Sequence, residues 1–394
     1  MKIVETRTAE ALTALRDEWN ELLERCDRAT IFLSWEWNEA WWRYFGHGKH
    51  LLLLQVREHG ILVGLAPFCI SRYPGTPLRR LVFVGTETSD YLDVLAPTDR
   101  AFEICTAIVH YLTTSRDADL VDLHDLRPTA LLRETVAQSS PSTWVGHELS
   151  LAPQEPCPYL PLPSTWEEYL KRLSKNTRHH LPRCQRAFGR DFEHAEIRMA
   201  SATETAEAMT ALFELHRRRW ESRQQSGQLA SEDIQAFHRR VAEQFLARGW
   251  LRLYIAYADG HIVGVEYAFC FHQRYSFYLN GFDPELARYS LGSLLMIDAI
   301  RQAIAEGCRE VDFLRGKETY KAQLGATEDR VNARLLLRRR HSARARAMLW
   351  LDDLPSRLAP LIRMKKQVAQ VFRPTGPAAI LSSETAPDNP TQER

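Results

Sequence analysis

The chain has 394 residues, 45% of them hydrophobic, with 51 Lys or Arg against 50 Asp or Glu. That length suits two or three domains, the apolar share can build a core, and the even charge balance removes any global pull toward nucleic acid or anionic membrane. Its seven cysteines are scattered, with no CxxC pair, which argues against a disulfide framework or a zinc ribbon and fits reduced thiols in the cytoplasm.

The N-terminal stretch "MKIVETRTAEALTALRDEWNELL" has an amphipathic helical pattern and no apolar h-region. Nowhere do about 18 apolar residues run together, so the expectation is a protein neither secreted nor membrane-spanning. "FLSWEWNEAWWRYFG" (32–46) concentrates Trp35, Trp37, Trp41 and Trp42 in one short helix, and tryptophans at helical spacing usually bury, here in an interdomain core. "LLLLQVREHGILVGL" (51–65) is a strand, a glycine turn and a second strand, a hairpin signature. "DYLDVLAP", a helical stretch "DRAFEICTAIVHYL" and the strand "LVDLHDL" follow it.

"SLAPQEPCPYLPLPSTW" (150–166) is proline-rich and reads as a linker; Ser164 and Glu167 then have capping-box spacing before the helix "TWEEYLKRLSKN". "KRLSKNTRHHLPRCQRAFGR" (171–190) is a basic helical pattern broken by Pro182. It is either a solvated face or a surface for an anionic partner such as a nucleotide sugar, a lipid-linked glycan or tRNA. His180 and Cys184 are spaced i, i+4, but no third ligand lies near in sequence, so no metal is expected.

"LRLYIAYADGHIVGV" (251–265) repeats the first hairpin. Leu51, Leu53, Gly60, Val63 and Gly64 recur as Leu251, Leu253, Gly260, Val263 and Gly264, all offset by 200 positions. "YSFYLNGFDP", the helix "SLGSLLMIDAIRQAIAEG" and "EVDFLRG" complete the copy. Each copy is thus hairpin, strand, helix, strand, the last three forming a right-handed crossover between parallel strands. From 331 to 373 there are eleven Arg or Lys against Asp352 and Asp353, and after Pro374 the tail has a disordered composition. The basic segment either packs as a terminal helix or lies on an anionic membrane surface.

Gly292 stands in the first turn of the crossover helix of the second copy, where a glycine costs about 1 kcal/mol relative to alanine. A helix N-terminus offers unpaired N–H groups and the positive end of its dipole, so an anion is expected against Ser290, Leu291, Gly292 and Ser293, with Arg288 adding charge. The alternative is that Gly292 only lets helix and sheet pack closely. The first copy has Asp99 in the corresponding turn, which would repel an anion, so one such site per chain is expected.

As a set, "FLSWEWNEAWWRYFG", "VGLAPF" (63–68), "SDYLDVL" (89–95), "LHRRRW" (215–220), "YLNGFDP" (278–284), "YSLGSLL" (289–295) and "VDFLRGKETYK" (311–321) resemble the GNAT acyltransferase superfamily. The narrower resemblance is to CelD-type acetyltransferases linked to cellulose and exopolysaccharide synthesis, and the tandem build is similar to the FemAB-type aminoacyltransferases. The resemblance implies an α/β (α+β) fold of two tandem GNAT-like domains, each a mixed twisted sheet flanked by helices. The expected division is a degenerate domain over 1–150, a linker over 151–163, the acyltransferase domain over 164–340, a basic helical segment over 341–373 and a disordered tail over 374–394.

The same resemblance implies acetyl-CoA or another acyl-CoA as donor and N- or O-acylation of a sugar, nucleotide sugar or polysaccharide precursor, in the cytoplasm or at the inner face of the membrane. A membrane-bound polysaccharide synthase would then be met by the basic C-terminal segment, and DNA is not a partner. Two other readings stay open: tRNA-dependent aminoacyl transfer, and a catalytically lapsed scaffold subunit of an exopolysaccharide complex. In the superfamily the helix turn carries a Q/R-x-x-G-x-G/A pattern, of which Tyr289, Gly292 and Leu294 keep only the middle glycine.

Acyl transfer needs a polarised carbonyl, a base, a proton for the leaving thiolate, and proximity. Backbone N–H groups near Leu279 and Asn280, at a splay between central parallel strands, can polarise the carbonyl. Glu266 lies within a largely buried strand, where burial raises its pKa, and is the leading base against a structural ion pair. Tyr278 and Tyr320 are candidates to return a proton to sulfur. Arg219 and Trp220 border the cleft as acceptor contacts, and Arg315 and Lys321 are candidates for a phosphate. Asp312 recurs as Asp122 in the first copy, which favours a structural role for both.

Overall fold

The computed structural model describes residues 1–73, 75–221 and 229–353. The first half runs β1 (Lys2–Thr6), α1 (Ala9–Ala14), α2 (Arg16–Glu24), α3 (Trp35–Phe45), β2 (His50–Glu58), β3 (Ile61–Arg72) and β4 (Arg79–Phe83). It ends with α4 (Ala101–Thr114), β5 (Leu120–Leu126), α5 (Leu131–Gln138) and β6 (His147–Pro161). The second half opens with α6 (Trp166–Arg172), α7 (Lys175–Asp191), β7 (Glu196–Met199), α8 (Thr205–Glu221) and α9 (Glu232–Ala247). It continues through β8 (Leu251–Ala258), β9 (His261–Phe271), β10 (Arg274–Phe282), α10 (Leu291–Ala305), β11 (Glu310–Asp312), α11 (Thr319–Gln323) and β12 (Glu328–Arg339). Helix starts follow local chemistry: Thr8, Ser34, Thr165, Ser174 and Ser231 each accept an N–H of the first turn beyond them. Thr165, one residue after the expected Ser164, is the cap of α6.

All the strands join one 12-stranded sheet, ordered β1-β2-β3-β4-β5-β12-β6-β11-β10-β9-β8-β7. The order is a palindrome of the two halves with one exchange at its centre: β12 pairs with β5 of the first half, and β6 pairs with β11 of the second. The repeat extends to its irregularities. Register slips between Val56 and Arg57 in the first hairpin and between Ala256 and Tyr257 in the second, at the same 200-residue offset. The parallel pair β10–β11 is the crossover expected from sequence in the second copy. In the first copy the parallel partner of β5 is β4, and the expected "DYLDVLAP" stretch is a loop held to β3 by a single bridge, Leu95 to Leu65.

The stretch expected to be a linker over 151–163 is therefore mostly a strand at the middle of the sheet. A central strand normally rejects proline, which cannot donate to the ladder. Here Pro156 and Pro158 face the chain beyond β11, accepting from Gly316 N–H (3.1 Å) and Phe313 N–H (2.9 Å). Their missing donors fall where the β6–β11 ladder stops, at Asp312.

Alternation along the strands sends buried residues to two faces. One face carries a core shared by both halves, in which α1–α3 meet α8 and α9; Trp37 packs there on Phe237, Phe245, Phe269 and Tyr278. The opposite face carries two separate cores, one under α4 and α5 and one under α7 and α10. Gly64 and Gly264 let the crossover helices down onto the sheet, since a Cβ would lie 2.4 Å from Ile104 Cγ2 and 3.1 Å from Leu295 Cδ1. Buried aspartates at matching positions tie both halves to β12: Asp122 holds Arg334 (2.7 Å), and Asp312 holds Arg330 (3.0 Å) and the Tyr91 hydroxyl. Residues 1–345 make one compact unit; of the second, 346–394, residues 346–353 are helical. The remainder of the basic segment 341–373 and the tail 374–394 lie outside the described residues.

Candidate active site

β10 and β11 pair over three positions, Arg274–Ser276 against Glu310–Asp312, after which β11 ends and β10 runs on alone to Phe282. A bulge between Phe277 and Leu279 marks the point of departure. It turns two successive residues, Tyr278 and Leu279, toward the shared core, while Asn280 and Phe282 follow on the α10 face. The result is a wedge-shaped opening beside a strand whose backbone beyond the bulge has no partner from β11.

α10 begins at the mouth of this opening. Its N-cap, Ser290, is left-handed (φ 54°) and makes no capping bond. Its hydroxyl instead shares a hydrogen bond with His180 Nε2 of α7, at 3.2 Å. The first turn thus keeps N–H groups with no side-chain acceptor, with an imidazole and the basic face of α7 beside them. Gly292 does pack closely, since a Cβ would stand 3.2 Å from Phe282 Cε1. Arg288 is mostly exposed and leans on Asp191 (3.7 Å) and Tyr289. His180 also lies 3.4 Å from Cys184 Sγ, and among the described residues these two belong to no cluster of three or more metal-ligating groups.

Four residues expected at the site come together on the α10 face: Glu266, Asn280, Arg219 and Tyr320. Glu266 is 1% exposed and stands across the ladder from Asn280, whose Oδ1 accepts from the Arg219 guanidinium at 2.7 Å. Arg219 reaches this face from the end of α8 and covers the Phe282 ring. α8 comes this near because Gly281 lets its backbone approach; a Cβ there would meet His216 N and Leu212 O at 3.0 Å. Among the described residues Glu266 Oε2 has no hydrogen-bond partner. Burial holds its carboxyl well above the usual range, against the pull of Asn280 and of the Arg219 charge. Burial and the nearby Glu266 charge also push the Tyr320 hydroxyl up.

The other expected residues lie elsewhere. Tyr278 is on the opposite sheet face from Glu266, and its hydroxyl donates to the Thr88 carbonyl at 2.6 Å. Lys321 is buried and donates to the carbonyls of Leu314 (3.2 Å), Arg315 (2.7 Å) and Gly316 (3.0 Å), so its charge holds a loop together. Arg315 is taken by Asp90 and the Ser89 carbonyl of the first half. The expected phosphate role of these two cations is replaced by a structural one, because both are spent on neighbouring backbone or carboxylate oxygen. The Trp220 indole donates to His216 Nε2 (2.9 Å).

Behind β10, on the shared-core face, lies a cavity of about 520 Å³ between the halves. Tyr278, Leu279, Trp41 and Phe45 line it, together with the charged Lys49, Arg72, Arg80 and Glu87. His238 of α9 lines it too: it is 1% exposed, and its Nδ1 has no partner among the described residues. Burial drops its pKa to about 3, so the imidazole is neutral at physiological pH. Sequence reasoning passed over His238, although Phe237, Val241, Ala242 and Phe245 mark the stripe on which it sits as the buried face of α9.

In the first half the corresponding opening is filled. After β4 the chain turns back through residues 89–95, where Leu92 N–H bonds the Asp125 carbonyl (3.1 Å) and Leu95 bridges Leu65. Ala66 stands where the repeat puts Glu266.

Residues 175–322 match the family described as Acetyltransferase (GNAT) domain. No curated protein matches the chain as a sequence. Among solved structures, FemX is similar with a TM-score of 0.59 at 9% identity, over 86% of this chain and 96% of that one. The C-terminal domain of a putative lysylphosphatidylglycerol synthetase from Agrobacterium fabrum gives 0.53 at 11%, over 87% and 97%. L-PGS from Bacillus licheniformis gives 0.51 at 12%, over 84% and 95%. Residues 175–322 thus match a GNAT acetyltransferase domain, and the chain shares a two-halved mixed α/β fold with these proteins.

Proposed function

We propose that the protein is an acyl-CoA-dependent N- or O-acyltransferase with one donor site per chain, in the second half. The proposed acceptor is a sugar, nucleotide sugar or polysaccharide precursor, as in CelD-type exopolysaccharide synthesis. The observation that carries this reading is the divergence of β10 from β11 in front of the uncapped first turn of α10. A diphosphate suits N–H groups and a helix dipole, and a thioester arm suits a strand backbone left without a ladder partner. In this reading the Leu291 and Gly292 amides, the Ser290 and Ser293 hydroxyls and His180 hold the diphosphate, Ser290 and Ser293 N–H being bonded to the Ala287 and Ser290 carbonyls. The β10 amides near Leu279 and Asn280 polarise the carbonyl.

The cavity behind β10 supports an acceptor on the far side of that strand, with the Arg72 guanidinium in its lining suited to an anionic group on it. His238, neutral and with an Nδ1 on that cavity unpartnered among the described residues, orients the attacking amine or hydroxyl as a hydrogen-bond acceptor, and water takes the proton. Glu266, held protonated by burial, has a proton to give the leaving sulfur, with Tyr320 beside it; it serves better as acid than as the base expected from sequence. The new bond joins acceptor N or O to the acyl carbon as the C–S bond breaks. One proton leaves to water, one arrives from Glu266, and solvent reprotonates Glu266.

Calorimetric titration of the full chain with acetyl-CoA tests the donor site. Binding is expected in the ordinary range for such substrates, about 1 μM to 1 mM. Gly292→Asp is expected to weaken it by about tenfold or more by placing a carboxylate at the anion site, while Gly292→Ala, which presses Phe282 equally, keeps most of it. No heat with wild type at about 1 mM, or equal losses in the two variants, would overturn the assignment. Turnover that requires charged tRNA and is lost on ribonuclease treatment would replace acyl-CoA by aminoacyl transfer.

A further inference from the structure

The GNAT reading does not use a group of side chains at the other end of β9. Cys270 lies near the end of that strand, Glu306 caps the C-terminus of α10, and Cys308 stands in the turn leading to β11. The two sulfurs are 3.5 Å apart, and one ligand atom from each of the three residues lies within 4.8 Å of the others. Sulfurs bonded at about 2.3 Å to one tetrahedral ion stand about 3.8 Å apart, so the observed spacing needs little adjustment. The backbone fixes it: Cys308 N–H bonds the Ala303 carbonyl (2.9 Å) and left-handed Gly307 turns the chain, while Cys270 N–H bonds the Trp250 carbonyl (2.8 Å).

We infer that Cys270, Cys308 and Glu306 form a binding site for a thiophilic divalent cation of the zinc class, with water as the fourth ligand. Two thiolates and a carboxylate around a divalent ion leave one excess negative charge, and Arg252 supplies the balancing cation. Its guanidinium already pairs with Glu306 at 2.8 Å. Arg252 bonds mainly Glu306 Oε2, while Gln302 Nε2 donates to Oε1 at 3.2 Å; Oε1 keeps a second lone pair to turn to the ion, with Arg252 and Gln302 orienting the group from outside. Tyr275, opposite Cys270 in the ladder and therefore on the same face, adds a buried hydroxyl beside that of Tyr254. Cys270 is partly exposed and Glu306 exposed, which gives the ion a way in.

On binding, two S–H bonds give way to two S–metal bonds, both protons go to solvent, and no electrons are exchanged. Cys270 and Glu266 share a face of β9 four residues apart, about 13 Å at 3.3 Å per residue, so the ion takes no part in acyl transfer. It would pin the end of α10 to the sheet. The sequence hid this site because its ligands come from a strand and a helix terminus 38 positions apart, with no CxxC.

The test is titration of the reduced full chain with Zn²⁺ against a chromophoric chelator, and with Cd²⁺ while following sulfur-to-cadmium charge-transfer absorption. Expected are one ion per chain, release of about two protons, and a charge-transfer band. Cys270→Ser and Cys308→Ser should each weaken binding by about tenfold or more, and Glu306→Gln less. Absence of the band, or affinity unchanged in both serine variants, overturns the proposal. A chain whose mass falls by two hydrogens, with these cysteines cross-linked and no metal retained, overturns it as well and makes the pair a disulfide.

Discussion

The two halves share a hairpin slipped at the same place, a crossover helix lowered onto a glycine, and an aspartate anchored to β12. They differ in what happens after the fourth strand. In the first half residues 89–95 fold back into the opening, and Tyr91 and Asp90 go on to hold Asp312 and Arg315 of the other half. In the second half β10 runs straight past the end of β11, leaving a gap bordered by an uncapped helix, a buried acid and a buried imidazole. One architecture thus supplies a strut and a site, and the choice between them lies in one loop and a few side chains rather than in the fold.

The contrast is broken most sharply at Glu266, whose counterpart is Ala66. Glu266→Gln is expected to lower kcat by about 10²- to 10⁴-fold with acetyl-CoA affinity unchanged. A kcat within a factor of about two of wild type would leave the second half with no chemical distinction at that position.

A smaller effect compares the glycines under the two crossover helices. Gly64→Ala should destabilise by about 1–3 kcal/mol, because its Cβ runs into Ile104 Cγ2 at 2.4 Å in a packed core. Gly264→Ala should cost well under half of that, since its nearest neighbour is the movable end of Leu295 at 3.1 Å. Urea denaturation of both variants measures the difference. Equal costs would mean that the helices press equally and that the tighter seat belongs to neither half.

The smallest effect is on the pH dependence of stability. Glu266 has a folded pKa raised above the ordinary 4.5, so above that pH the unfolded chain ionises while the buried carboxyl stays protonated. The unfolded state then binds fewer protons, and this residue's contribution falls as pH rises. His238 and His216, lowered to about 3 and about 4, act on the acid side: below 6.5 the unfolded chain takes protons that the folded one refuses, and stability falls as pH drops toward those values. Glu266→Gln should therefore gain on wild type in chemical denaturation as pH is raised from about 4 to 8. A gap that stays constant over that range would show Glu266 to be ionised in the folded protein.

Much of the fold was legible because its signals are local and doubled. The hairpins, the second crossover and the tryptophan helix each carry periodicity within one stretch, and the repeat at 200 positions lets each hairpin vouch for the other. The repeat also makes the loop "DYLDVLAP" pass for the strand that is β4. Asn280, Arg219 and Tyr320 were legible as candidates because they sit in motifs that the family resemblance picks out, and Glu266 because it is an acid inside an apolar strand. β6 was not, since proline argues against a strand unless one knows which side of it faces a vacant ladder position. Lys321 and Arg315 were misjudged for a related reason: a sequence shows a charge but not the three carbonyls or the distant Asp90 that consume it. His238 and the Cys270–Cys308 pair depend on contacts between remote segments, which no spacing rule records.

The crossing of β6 and β12 at the centre of the sheet has a practical corollary. Neither half owns the ribbon that completes it, so a fragment ending before β6 or beginning after it would present a raw β5 or β11 edge and tend to self-associate. Two fragments divided in the short connection between β6 and α6 each hold what the other lacks, and should recover solubility by complementation when produced together.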